Sequence, residues 1–566
     1  MLATSGQCML ATSRHGTLTT SHSLTLMRSH HSLALLLLSV VVLFLASCGG
    51  GAANTSSQGT EGAQGTAPSG DAGSSATASG ANPATERGNS LVIATAQDPG
   101  SWDPIDTFFL SWGMVANQIF DGLVDRGLDL QLQPGLATSW DWLDDQTLQF
   151  KLRQGVKFHD GEPFNADAVV FTFDRLLGPE GAKGPQQANY ASIEKVVKVD
   201  DYTVNFVMKT KDPVIITKLA GYGAMIVPPQ YLTDKGDAYF DAHPVGTGPF
   251  KFVEYAKDDH LALEANTDYW NGAPKLDKVT YRFIPEPATR LAELQTGHVD
   301  VAQGIQSSQA DAVSSVANLT LQTAASPTVV GLRFDVSKPP VDDARVRQAI
   351  NYAVDKQGII DSILQGYGKT ISTFQGEKSF GNDPDLKPYP YDPDKAKQLL
   401  QEAGVKSGTP IKISIIGTDA TFKEVAQAVA SMLQAVGFTP SIETYESNTF
   451  WNDIVPNAKT GQMYYEGWGG WTLDFDNTAY ILYHQGEFWN PSFSDSLVEQ
   501  YLEEERSTYD QEKRLAAFKK LDARFHELAI EVPLYQQVNL WGVNKRVQDF
   551  QAPVDDRIRL LGTSVK

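Results

Sequence analysis

Two aspartates separated by one residue, Asp474 and Asp476, follow two tryptophans in the stretch EGWGGWTLDFDNTAYIL, Glu466 to Leu482. Three chemistries could use such a stretch: a pair of catalytic acids, a metal loop, or one wall of a binding pocket. A glycosidase needs two carboxyls facing one bond at about 5–5.5 or 6.5–9.5 Å. Asp474 and Asp476 are not expected to form that pair. A calcium loop fails on spacing: Ala479 stands where a glycine is needed at the sixth position, and Gln485 where the twelfth needs glutamate. The wall of a pocket is the reading that survives.

Other chemistry-bearing residues are sparse. Six histidines follow the leader, at 159, 243, 260, 298, 484 and 526, and none are paired at helical ligand spacing. His159-Asp160-Gly161 reads as a turn, because Asp-Gly favours turn geometry. Gly246-Thr247-Gly248-Pro249 lacks the lysine of a phosphate loop and reads as a tight bend. There is no G-x-S-x-G elbow, and no cysteine follows Cys48. No enzyme, metal or cofactor is expected from these residues.

The elements that must position the tryptophan segment lie in a chain of 566 residues, formal net charge −21 and pI near 4.9, a balance that disfavours nucleic acid as a partner. Arg28 and two histidines precede the apolar run Leu33–Ala46, which ends in LASC, Leu45 to Cys48. This is the charged region and apolar core of an export signal, shorter than the ~20 residues that span a bilayer. Met27 would open a more ordinary signal than Met1. LASC resembles the lipobox of bacterial lipoproteins, which implies cleavage at 1–47 and lipid on Cys48. Residues 48–89 are a Gly/Ser/Ala/Thr tract that reads as a flexible tether.

From Ser90 the pattern is of strands and turns: 147–153, 202–209, 260–266 and 278–285, with a capped amphipathic helix from Asn165. The second half is α/β. Asp342 and Asp343 open a helix continued by Ile359 to Leu364; Asp392 and Pro393 start another that Gly404 ends. Strand 411–417, helix 422–436 and the strand from Phe438 make a parallel unit, and a helix 511–529 precedes the strand EVPLYQQV.

The stretches LATSWDWLDDQTLQFKLRQGVKFHDGEPFNADAVVFTFDRL (136–176), VGTGPFKFVEY (245–255), the run 263–302, VDDARVRQAINYAVDK (341–356) and YDPDKAKQLLQEAG (391–404) together resemble the family 5 extracellular solute-binding proteins of ABC importers, in the right order over most of 90–550. That resemblance implies an α/β, two-lobed periplasmic-binding-protein-like fold of the large cluster C type, with a subdomain inserted in the first lobe. The expected boundaries are 90–122, 240–332 and 538–566 for the first lobe, 123–239 for the insertion and 333–537 for the second lobe. It implies capture of a di- or oligopeptide, or alternatively an oligosaccharide or nickel complex, by a monomer lipid-anchored on the outer, periplasmic face of the cytoplasmic membrane. ABC permease and ATPase subunits are the implied partners.

In peptide-binding members a GW-x-x-D-[YF] segment lines the pocket and its aspartate meets the ligand's α-amine. Gly470, Trp471, Thr472 and Asp474 fit that register. A second register begins at Gly467-Trp468, places Trp471 at the aspartate position, and gives an aromatic wall suited to a neutral solute. Phe108, Phe109 and Leu110 are expected to face the ligand from the first lobe.

Overall fold

The computed structural model describes residues 88–107, 110–417 and 419–566, Leu110 by its backbone alone. The signal stretch, Cys48, and Phe108, Phe109 and the side chain of Leu110 lie outside the described residues.

Two large sheets organise the chain. The first carries eleven strands, ordered Phe438–Tyr445, Thr409–Ile416, Met463–Gly469, Leu319–Phe334, Glu531–Asn544, Val301–Gln303, Ser90–Thr95, Lys278–Phe283, His260–Ala265 and Phe250–Ala256, with Gly368–Lys369 paired off this path. Ser90–Thr95 is parallel to both its neighbours, and Leu91, Ile93 and Ala94 are fully buried, as an apolar run covered on both faces requires. The second is an antiparallel four-stranded sheet of Ala137–Asp144, Thr147–Leu152, Thr203–Met208 and Ile193–Asp200.

Two long strands tie the ends of the large sheet together. Leu319–Phe334 and Glu531–Asn544 run antiparallel; near 319–325 they lie beside Val301–Gln303, and near 328–334 beside Met463–Gly469. Their pairing slips between Ala325 and Val329, where the pair passes from one side to the other. Irregularities of this kind bend a strand and raise its twist.

Each side has its own apolar core. Trp112, Phe120, Tyr281 and Trp541 anchor the first; Leu332, Ile350, Ile413 and Val429 the second; Phe150, Phe173 and Phe206 lie beneath the four-stranded sheet. Trp471 belongs to the first core, although Phe475 and Ala479, its near neighbours in the chain, pack in another cluster with Phe518 and Phe525. That crossing positions the site.

Local signals account for the helices. Asn165 caps Ala166–Leu177 by accepting from the N–H groups of Asp167 and Ala168. Asp392 caps Pro393–Glu402, and Gly404 follows it at φ +74°. The helix expected from Asp342 through Leu364 breaks: Ala344–Ala353 ends at Val354, and Asp355 caps a second helix, Lys356–Ser362, through the N–H of Gly358. An aspartate that satisfies a new helix start is a better stop than helical continuation. The parallel pair Thr409–Ile416 and Phe438–Tyr445 flanks helix Ala420–Ala435 as the spacing predicts.

Candidate functional site: the seam crossed by residues 468–476

Strand Met463–Gly469 delivers the segment, and helix Asp476–Tyr483 takes it away. Between them the chain is bent so that successive side chains leave in different directions. Leu473 has φ +58°, its N–H donates to the Gly470 carbonyl at 2.8 Å, and its own carbonyl accepts from Phe380 at 2.8 Å. Phe475 returns a bond to the Phe380 carbonyl at 2.9 Å. A non-glycine residue held at positive φ costs about 1–3 kcal/mol, and the paired bonds to Phe380 hold it there.

Trp471 leaves toward the first core. It is 8% exposed and stacks on Tyr222, with ring centroids 5.8 Å apart and planes inclined by 17°. The approach depends on Gly221, where a Cβ would stand 2.0 Å from the indole. Arg126 adds a polar tie, its Nη2 donating to the Thr472 carbonyl at 2.8 Å.

The two aspartates leave the other way, into a buried charge array. Asp474 accepts from both terminal nitrogens of Arg514, each at 2.8 Å, and Arg514 also donates to Glu505 at 3.0 and 2.8 Å. Asp476 accepts from Arg506 at 2.5 and 3.0 Å, and the Arg506 guanidinium lies 3.1 Å from the Tyr480 ring centre. Burial pushes the Asp474 carboxyl up, against the opposing charge of Arg514. Burial acts on Asp476 too, but the Arg506 charge and hydrogen bonds from Glu505 and Arg506 outweigh it and hold this acid below the usual carboxylate range. Glu505 is driven well above that range by burial and then by the charge of Asp476. Its Oε1 accepts no hydrogen bond and lies 3.8 Å from Arg506 Nε; as the neutral acid it donates to Asp476. With Glu505 neutral, two carboxylates face two guanidiniums and the array balances.

Two cavities flank the segment, each walled from both sides of the seam. One, of about 710 Å³, lies between Arg126, Pro213 and Thr217 and the group Thr472, Leu473, Asp474 and Arg514. The other, of about 510 Å³, lies between Asn189, Lys211 and Lys218 and the group Trp468, Asp476, Tyr480, Phe488, Trp489 and Arg506. Trp468 meets Trp489 edge-on at 5.6 Å. Lys218 is paired with Asp212 at 2.8 Å and Lys211 with Asp145 at 3.0 Å, so the second cavity combines aromatic walls with compensated charges.

The structure thus brings Thr472 and Asp474 together and sets Trp468 apart, in the second cavity. Gly470 and Trp471 line neither; Gly470 supplies the turn carbonyl and Trp471 the seam contact. Arg514, Arg506 and Glu505 were missed by sequence reasoning. Arg514 had a readable signal: with Ala517, Phe518, Leu521 and Phe525 it falls on the buried face of Gln511–Leu528 at helical spacing, and a charge there demands a partner. His159 has the structural role expected of it: its Nε2 meets the Gly248 carbonyl at 2.9 Å, and burial lowers its pKa to about 4. Tyr269 and Trp270 both donate to Asp121, again structural contacts.

Two α/β sides, tied by a pair of long strands and enclosing cavities at their seam, define a protein that holds a solute between its parts. The description "Bacterial extracellular solute-binding proteins, family 5 Middle" matches residues 131–490, and the chain belongs to that family, one of solute binders rather than catalysts. It is 31% identical to Di/tripeptide-binding protein 1 of Pseudomonas aeruginosa over 82% of this chain and 92% of that one. Heme-binding protein A of Haemophilus influenzae is 30% identical, over 82% of this chain and 90% of its own length. Among solved structures, the dipeptide binding protein of a Pseudoalteromonas species in complex with Met-Leu superposes with a TM-score of 0.73 at 26% identity, over 84% of this chain and all (100%) of that one.

Proposed function

We propose that the chain captures a short peptide at the seam between two lobes, divided at the boundaries expected from the sequence, and delivers it to an ABC permease as a lipoprotein anchored through Cys48. The observation that carries the peptide reading is the state of Asp474. A carboxylate offers about four lone-pair sites; Arg514 takes two and the Asp476 N–H, 3.1 Å from Oδ1, a third. One site on Oδ2 is left and Asp474 lines the larger cavity, so on this reading a peptide ammonium takes that site with Arg514 still in place. Such a charge-assisted bond contributes about 1.5–3 kcal/mol. Contacts from both sides of the seam exist together only when it is shut, so a peptide shifts the population toward the closed form. The names of the di/tripeptide- and dipeptide-binding relatives support the same class of ligand.

A second reading has its own support. Arg514 already neutralises Asp474, and the aromatic cavity around Trp468 and Trp489 suits a solute with no free amine. Calorimetric titration with a tripeptide and its N-acetyl form decides between them. The peptide reading expects acetylation or Asp474→Asn to weaken binding roughly 10-fold or more, with Trp468→Ala the milder change. Unchanged affinity on acetylation, with binding lost in Trp468→Ala, would establish the second reading.

A further inference from the structure

A third cavity, of about 560 Å³, lies away from Asp474 and Trp468, between residues 117–135, 269–271 and 557–561. Its wall includes Arg557, which is only 5% exposed. Among the described residues the guanidinium of Arg557 makes no ion pair and no hydrogen bond. The neighbouring carboxylate is committed elsewhere: Asp555 gives its two oxygens to Arg559 at 2.8 and 2.7 Å. Nor is the guanidinium sealed away, since the partnerless nitrogens that are fully enclosed include Arg126 Nε but none from Arg557. Arg557 is one of the residues that line the cavity. Asp555 still acts on Arg557 through its charge, but a nine-tenths buried guanidinium with none of its N–H groups bonded is costly unless a partner arrives from outside.

We propose that this cavity is a second binding site, in which Arg557 holds a small monocarboxylate. A planar guanidinium fork matches a carboxylate in two-point contact. The rest of the wall limits the guest's charge. Arg153, stacked 4.1 Å over Trp270, and Arg559, paired with Asp555, line it together with Asp121 and Asp125, and these two acids disfavour a multiply charged anion. Arg557 also lies 5.8 Å over the Tyr222 ring, on which Trp471 stacks, so an occupied site braces the surface on which the seam shuts.

The test is thermal unfolding of the full chain in rising sodium acetate, with ionic strength held constant by sodium chloride. The wild type should show a saturable rise in Tm, which Arg153→Gln retains and Arg557→Gln loses. Without acetate Arg557→Gln should be as stable as the wild type or more so, because it removes a buried charge whose guanidinium has no hydrogen-bonded partner. A parallel series in inorganic phosphate should give the smaller response. The proposal is overturned if the wild type does not respond to acetate, if Arg557→Gln responds equally, if phosphate binds better than acetate, or if Arg557→Gln alone unfolds the protein. Solute capture at the seam is read by separate peptide titrations, so either idea can fail without the other.

Discussion

Replacing Arg514 by leucine removes four charge-assisted hydrogen bonds at one stroke, two from Asp474 and two from Glu505. The two acids do not lose equally. Burial and then Asp476 push the proton affinity of Glu505 up, which favours its neutral form. Asp474 is left as a 6% exposed carboxylate with one backbone donor, the Asp476 N–H. Breaking a buried ion pair by deleting one partner costs about 3–5 kcal/mol, whereas replacing both partners by apolar groups is often close to neutral. The single variant Arg514→Leu should therefore lose about 3 kcal/mol or more, and the double variant Arg514→Leu/Asp474→Leu should recover most of that loss. Urea unfolding followed by circular dichroism measures both, with the slope of the transition checking that the same surface unfolds. Equal destabilisation of the single and double variants would refute the claim that the buried charge of Asp474 depends on Arg514.

Further outcomes follow from other contacts. Gly221→Ala puts a methyl where the Trp471 indole lies in the shut seam, an overpacking of about 1–3 kcal/mol, so solute affinity should fall roughly 5- to 150-fold; unchanged affinity in a calorimetric titration would separate the Trp471 contact from closure. Burial raises Glu466 from the ordinary 4.5 to about 7, with Arg333 opposing. The folded protein then holds a proton that the unfolded chain has lost between these values, so this residue's contribution to stability falls as pH rises from 4.5 to 7 and levels off above. At 1.36 kcal/mol per pKa unit the change is about 3 kcal/mol, and Glu466→Gln should flatten a pH series of melting temperatures; an unaltered slope would contradict the burial argument. Cys48→Ser should move the protein from the membrane to the soluble fraction of host cells, and continued sedimentation with membranes would count against the lipid anchor.

Much of the scaffold was legible because it rests on local chemistry. Asn165 and Asp392 cap helices where their side chains can reach free N–H groups, and alternating or continuous apolar runs fall on strands. The break at Asp355 was harder to see, since a single cap competes with a helical pattern that continues on both sides. The site was legible only in part. The pattern around Trp471 and Asp474 singled out a segment that lies at the seam, but not that Trp471 would be absorbed by the core across it while Asp474 turned toward Arg514. Those destinations depend on Tyr222 and Arg514, respectively 249 residues before Trp471 and 40 after Asp474, and no local spacing encodes them. A positive φ at Leu473, with no glycine at that position to announce it, further hid the turn that sends Trp471 and Asp474 different ways.

Native mass spectrometry of the protein purified from its own host tests the central claim most directly, because a shut cleft carries its ligand through purification. A retained mass that fragments as a short peptide with a free amino terminus, and that is lost from Asp474→Asn before it is lost from Trp468→Ala, is the result expected. A retained solute without an amine, or one held equally by Asp474→Asn, would contradict peptide capture at Asp474.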